Sequence, residues 1–425
     1  MTSDRKKVVI VGGGFGGLAA ARALGNSSAD VTLIDRRNHN LFQPLLYQVA
    51  TAALSPADIS EPIRRTLGRY LNINVVLAEV VGVDAVAKSV LLHDGAAIGY
   101  DYLVLSTGSV YNYFGHPEWQ DLAPGLKSIH EARLIRQRLL LAFERAETRA
   151  DPTERRALLT SVIIGGGPTG VEMAGAISEL GRFMAERDFR NIQSSELRVV
   201  LIEAGPRILA AFPADLSDYA HRYLEKIGIE VRLNQRVTAV DETSISVGDE
   251  LIPCGCVVWG AGTKPSPAAS WLGFDLPGGK IPVDEFLRVK GVTSVFALGD
   301  TASLADRSGD QLPALAQVAK QQGAYMGDAL LRLMAGRALS PFVFRNRGNT
   351  AVVGRHAAVF DFGYWKMKGT IAWLLWAFIH VALLINFEKR VLVSLQWVWR
   401  YITRQRGARL IDETAFPGRS DINPR

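Results

Sequence analysis

Two stretches of the chain repeat one order of apolar and polar positions: a short β-branched run, a glycine cluster, small residues at helical spacing, then an apolar run ending in an acid. Over residues 7–36 this predicts a strand at Val8–Val11, a glycine turn, a helix at Leu18–Leu24 and a strand at Val31–Asp35. The second copy opens at Ser161, continues as a helix from Val171 to about Arg190, and reaches its second strand at Leu197–Glu203. The runs are continuously apolar rather than alternating, as in parallel strands covered on both faces. Further strands are expected at Val75–Val83, Ser89–His93, Tyr102–Ser106, Glu230–Leu233, Cys256–Trp259 and within 292–300. Pro313 suits the first turn of a helix running to about Met334. From Phe342 the pattern changes to short strands and then to an apolar, basic tail. With no short-period repeat, the two β-α-β units read as a duplicated domain.

The turns carry the chemistry. Gly12, Gly14 and Gly17 are matched by Gly165, Gly167 and Gly170. The first glycine of each set permits the tight turn, the second lets a pyrophosphate approach the backbone, and the third allows close helix packing. Phe15 and Gly16, like Pro168 and Thr169, open the helix whose N-terminus attracts phosphate. Asp35, with Arg36 beside it, ends the next strand of the first copy and is expected at an adenosine ribose. Glu203 does so in the second copy, 33 residues past Gly170, which requires a long intervening helix. A carboxylate there repels a 2′-phosphate and favours NAD over NADP, although Arg207 nearby leaves NADP open. One such turn indicates one dinucleotide. Two indicate an enzyme passing electrons between two dinucleotides.

Composition narrows the class. The 425 residues are 48% hydrophobic and include 40 glycines, as suits a loop-rich α/β enzyme. Cys254 and Cys256 are the only cysteines, which excludes a disulfide framework and points to a reducing compartment. The polar start MTSDRKK lacks the apolar stretch of a secretory signal. No His/Cys/carboxylate set has metal-ligand spacing.

The net charge of +6 matters less than where it lies. Between Lys366 and Arg409 eight Lys or Arg residues, among them Arg400, Arg404 and Arg406, face one acid, Glu388, and five of the eight tryptophans fall within 365–409. Such mixing points to a membrane surface. Nucleic acid is the other reading of a basic patch, but these charges flank a greasy segment. Ile371–Ile385, with His380 its one polar member, spans roughly 22 Å as a helix, short of the roughly 30 Å hydrocarbon core. Val391, Leu392, Leu395, Val398, Trp399 and Ile402 form one face of the following helix, with Arg400 and Arg404 on the other side. Peripheral attachment through anionic headgroups is therefore expected rather than a span.

LSTGS (Leu105–Ser109) and FALGD (Phe296–Asp300) resemble further FAD fingerprints of two-dinucleotide flavoproteins. That resemblance implies FAD at the Gly12 turn, with Thr107, Gly108 and Asp300, and NADH at the Gly165 turn, with Gly262 of WGAGTKPS near the nicotinamide. The segment HNLFQPLLYQVAT (His39–Thr51) lacks the CxxxxC of disulfide reductases. HNLFQPLLYQVAT, GGGPTGVEMAGAI, LPALAQVAKQQG and the tail together resemble type II NADH dehydrogenase, the single-subunit NADH:quinone oxidoreductase, over nearly the whole chain.

The resemblance implies an α/β fold like glutathione reductase, with two Rossmann-like domains and an amphipathic membrane-anchoring region. The FAD domain is expected at 1–115 and 285–340, the NADH domain at 116–284 and the membrane region at 341–425. It further implies Ala316 and Gln317 at the flavin, and Pro44, Gln317 and Gln321 at the quinone. Gln317 and Gln321, four apart, share a helix face; the alternative is two glutamines on a solvated face. Glu172 is either a catalytic or positioning carboxylate at NADH and quinone, or an acid favoured by its helix dipole. The expected reaction is respiratory electron transfer from NADH through FAD to a membrane quinone, without proton pumping, by a peripheral protein on the cytoplasmic side that can pair as a homodimer. A reductase of another acceptor, ferredoxin- or rubredoxin-type or sulfide:quinone-like, and a membrane-docked NADH sensor without turnover remain as rivals.

Overall fold

The computed structural model describes residues 5–276, 278–306, 309–384, 386–403, 407 and 409–411. They fall into two compact units. The first comprises residues 1–41, 60–111 and 263–347, and the second 42–59, 112–262 and 348–425.

In the first unit, a five-stranded parallel sheet has the order Val295–Ala297, Tyr102–Leu105, Lys7–Val11, Asp30–Asp35, Ile73–Leu77. Val8–Val11 and Tyr102–Leu105 pair in register, and Leu103 pairs with Val295. The central strands are buried on both faces, as their unbroken apolar runs require. The expected strand Val75–Val83 is instead two, Ile73–Leu77 and Val80–Asp84. The first closes the parallel sheet at its edge, and the second joins Ser89–Leu92 and Ala97–Gly99 in an antiparallel meander. An apolar run cannot show a change of partner, because both strands want the same residues.

The helices Phe15–Ala23 and Ala316–Met334 cross on small residues. A Cβ on Gly323 would stand 2.1 Å from the Gly16 carbonyl oxygen, and one on Gly327 2.3 Å from the Ala23 Cβ. The second helix begins three residues past Pro313, because Leu315 is extended (φ −124°, ψ 144°) and serves as its N-cap. The split at Gly262/Thr263 falls earlier than the expected 284/285. Thr263–Pro265 pairs with Ser109–Tyr111 in an antiparallel ribbon, which ties the return segment to the first unit.

The second unit has a four-stranded parallel sheet in the order Ile229–Arg232, Arg198–Ile202, Thr160–Ile164, Cys256–Trp259. Its glycine-turn helix, Pro168–Arg187, is 20 residues long, which accounts for the wide gap before Glu203. The helix Ile129–Glu147, not anticipated from the sequence, is capped by Ser128, whose Oγ accepts the Glu131 amide. The described residues from 348 onward group with this unit. An antiparallel sheet of Asn349–Gly354, Ala357–Asp361 and Lys366–Gly369 lies against the long helix. A Cβ on Gly175 would meet the Val353 carbonyl oxygen at 2.4 Å, so only glycine permits that approach.

The helices Thr370–Leu383 and Phe387–Thr403 follow. The first has 14 residues, roughly 21 Å, and no described helix is long and apolar enough to cross a membrane. The second has the expected apolar face, and it points outward. Leu395, Trp399 and Ile402 are 63%, 62% and 72% exposed, while Val393, Gln396 and Trp397 turn inward. Arg400 lines a cavity in this unit; Arg404, Arg406 and Ile385 lie outside the described residues. The arrangement inverts that of an amphipathic helix in a water-soluble protein.

Candidate functional site

The two glycine turns share one geometry. Gly12 and Gly165 have φ of +103° and +106°, a region that side chains avoid. A Cβ on Gly17 would fall 1.8 Å from the Gly12 carbonyl oxygen, and one on Gly170 1.8 Å from that of Gly165. By contrast, nothing lies within 4 Å of a Cβ on Gly14 or Gly167. Each turn thus closes tightly beneath the helix and leaves the backbone open where a pyrophosphate would rest, with Phe15 and Gly16 or Pro168 and Thr169 in the first helical turn. Neither helix has a side-chain cap or an acid in its first turn, which favours a phosphate at its N-terminus.

The acids match as well. Asp35 accepts the Gly13 amide at 2.6 Å and the Arg37 amide at 2.7 Å. Glu203 accepts those of Gly166 at 2.6 Å and Gly205 at 2.7 Å. A carboxylate has about four acceptor sites, so each retains capacity for ribose hydroxyls. Arg36 is exposed. Arg207 donates to the Ala210 carbonyl of its own loop.

Each turn backs onto a crossover. The Gly12 turn is backed by Ser106 and Thr107 and the Gly165 turn by Gly260 and Ala261. Both crossovers end on a glycine with positive φ, Gly108 (+69°) and Gly262 (+137°). In the first unit the two fingerprints meet. Thr107 Oγ1 lies 2.5 Å from Ser266 Oγ and 3.1 Å from Thr301 Oγ1, and Ser109 donates to Asp300 at 2.5 Å. The buried Gln322, which sequence reasoning missed, fixes the same corner: its Oε1 accepts the Gly299 amide at 2.6 Å. It is hidden beside Gln321 because nothing local separates a buried glutamine from an exposed one.

Ala316 is exposed at the start of its helix, where Leu315 leaves the first amides without a side-chain cap. Gln321 exchanges a pair of bonds with Arg345, accepting its amide at 3.1 Å and donating to its carbonyl at 3.0 Å. Gln317 accepts the Arg347 amide at 3.0 Å and reaches Asn346 Oδ1 at 3.5 Å. They share a face, as expected, and that face holds residues 345–347.

The second unit contains a cavity of about 390 Å³. Glu172, Glu179 and Glu186 of the long helix border it, as do Tyr47, Gln48 and Thr51, the strand residues Val352 and Gly354, and Trp373, Trp376, Trp397 and Arg400. Pro44 lies in the 3₁₀ turn Gln43–Leu45, next to the helix that carries Tyr47. Desolvation pushes the Glu172 carboxyl up to about 8, against the weak opposition of the Val352 amide 3.3 Å away. The side chain keeps part of its surface, and that surface meets the cavity. The indole of Trp397 donates to Gln48 Oε1 at 3.0 Å, and Gln48 Nε2 donates to the Tyr47 hydroxyl at 3.1 Å. Trp376 stacks on Trp397 and on His380. His380 is buried, donates from Nδ1 to the Trp376 carbonyl and is pushed down to about 4 by desolvation, so it is uncharged at neutral pH. Cys254 and Cys256 are buried free thiols, pushed up to about 12 by desolvation. Neither is a nucleophile at neutral pH.

The pyridine nucleotide-disulphide oxidoreductase family matches residues 6–323, and the NDH2 C-terminal domain matches 346–405. The type II NADH:quinone oxidoreductase Ndh of Mycobacterium tuberculosis is 38% identical over 97% of this chain and 92% of its own. A mitochondrial internal alternative NAD(P)H-ubiquinone oxidoreductase A1 of Arabidopsis thaliana is 31% identical over 94% and 84%. Among solved structures, NDH2 from Plasmodium falciparum in complex with NADH superposes with a TM-score of 0.86 over 93% of this chain and 98% of that one, at 21% identity. The duplicated turns, the matched C-terminal domain and identity along almost the full length place the chain in the type II NADH:quinone oxidoreductase family.

Proposed function

We propose that this protein oxidises NADH and reduces a membrane quinone at the membrane surface, without moving protons across the bilayer. Its cofactors are FAD, at the Gly12 turn, and NADH, at the Gly165 turn. When bound, the flavin takes a hydride and passes two electrons on. The balanced reaction is NADH + H⁺ + quinone → NAD⁺ + quinol. The observation that carries this reading is the Glu172 cavity, walled by three tryptophans, in the same unit as two helices whose apolar faces point outward. A long-tailed quinone needs such an opening beside the bilayer, and a soluble electron carrier does not.

The geometry supports the following roles. The open backbone at Gly14 and Gly167, with each uncapped helix start, holds a pyrophosphate. Asp35 and Glu203 accept from ribose hydroxyls, and Glu203 disfavours a 2′-phosphate. Thr107, Gly108 and Asp300 border the flavin site, and Gly262 the nicotinamide. The helix start at Ala316 stabilises negative charge on the flavin ring. Gln317 donates to a quinone carbonyl by exchanging its long contact with Asn346, while Gln321 positions 345–347 and Pro44 shapes the entrance. Glu172, neutral at pH 7, donates to the quinone or orients NADH. Lys366, Lys368, Lys389 and Arg390 flank the outward helices and meet anionic headgroups on the cytoplasmic side.

The test is NADH and NADPH oxidation by the purified protein with ubiquinone and menaquinone analogues. A yellow protein turning over NADH with a quinone is expected. Absence of flavin, or faster transfer to a ferredoxin-type acceptor than to any quinone, would reject the reading.

A further inference from the structure

The long helix of the second unit presents three carboxylates to one cavity. Glu172, Glu179 and Glu186 are spaced by seven residues, which nearly completes two turns, so they share a face at intervals of roughly 10 Å. All three border the cavity, and they grade from half-buried Glu172 and Glu179 to exposed Glu186. The cavity's 390 Å³ accommodates about a dozen waters at ~30 Å³ each. Intervals of roughly 10 Å are too long for direct transfer but are spanned by a few waters.

Quinone reduction sets the need. Of the two protons on the quinol, the hydride of NADH accounts for one, and the other comes from the medium. We propose that Glu179 relays that proton, from water at Glu186 to Glu172, which delivers it to the quinone oxygen and is reprotonated along the same route. The proposal rests on the quinone reading above. Arg182, Arg355 and Arg400 border the same cavity as Glu179, and Tyr223, whose hydroxyl donates to the Arg355 carbonyl, lies within electrostatic reach of it. Glu179 also has a structural task, because its Oε1 accepts the Arg355 amide at 2.7 Å.

Glu179→Gln separates the two tasks, since an amide oxygen still accepts from Arg355 but cannot carry a proton. In the flavin-loaded full-length protein, stopped-flow spectroscopy reads flavin reduction by NADH and reoxidation by a short-chain quinone separately. Reoxidation is expected to slow at least about tenfold, less than the roughly hundredfold or more that direct acid–base assistance contributes, because Glu179 acts through Glu172, while flavin reduction stays unchanged. A small weak acid such as formate should restore the rate. Independently of turnover, hydrogen–deuterium exchange of the protonated Glu172 carboxyl, followed by difference infrared spectroscopy, should slow. Reoxidation within twofold of wild type, or a loss that weak acids do not recover, would overturn the relay. A wild-type protein that reduces no quinone would instead remove the reading beneath it.

Discussion

The outward apolar face of the last helix makes a quantitative prediction about membrane binding. Leu395, Trp399 and Ile402 are 63%, 62% and 72% exposed and share that face. Fully burying a large apolar side chain contributes about 2 kcal/mol. Scaled by those exposures, the three together contribute about 4 kcal/mol when the face enters lipid. Truncation of all three to alanine keeps each Cβ and removes about 3 kcal/mol, which is about a hundredfold in partition. Co-sedimentation of the triple variant with vesicles containing anionic lipid measures this directly. Because these side chains turn away from the protein, flavin content and melting temperature should match wild type. A change in partition of less than about threefold would refute membrane burial of the face and leave it to a protein partner.

Three further outcomes are expected. Glu172→Gln should slow NADH:quinone turnover with normal FAD content. It should also alter the dependence of stability on pH. Because desolvation raises the carboxyl from 4.5 to about 8, the folded protein retains a proton that the unfolded chain has released across that window. Wild-type stability therefore falls as pH rises from about 5 to 8, whereas glutamine feels nothing. After discounting for screening by cavity water, the variant gains about 1–2 kcal/mol relative to wild type by pH 8. Denaturant melts at pH 5 and 8 check this, and parallel pH dependences would contradict it. The paired glycines should also separate the cofactors. Gly17→Ala should yield protein without flavin, and Gly170→Ala yellow protein with weakened NADH binding, since each Cβ would stand 1.8 Å from a carbonyl oxygen. Absorbance spectra and NADH titrations read both effects.

Much of this protein is written locally. The β-α-β duplication, the long helix demanded by the distance to Glu203, and the apolar face of the last helix all follow from local pattern and spacing, though not the direction in which that face points. The geometry of a glycine turn is likewise fixed within a few residues, which is why the two copies agree so closely in φ and in their amide-to-carboxylate bonds. Tertiary structure decided what depends on partners distant in sequence. It split 75–83 between two sheets and brought Gln322 rather than Gln321 into the buried corner at Gly299. It also enclosed Glu172 among residues from 47 to 400, and so moved its carboxyl to about 8. A carboxylate near the start of a helix is ordinarily a favourable surface charge. The walls contributed by residues 47–53 and by the C-terminal strands and helices desolvate it, and their approach depends on long-range packing that no local pattern encodes.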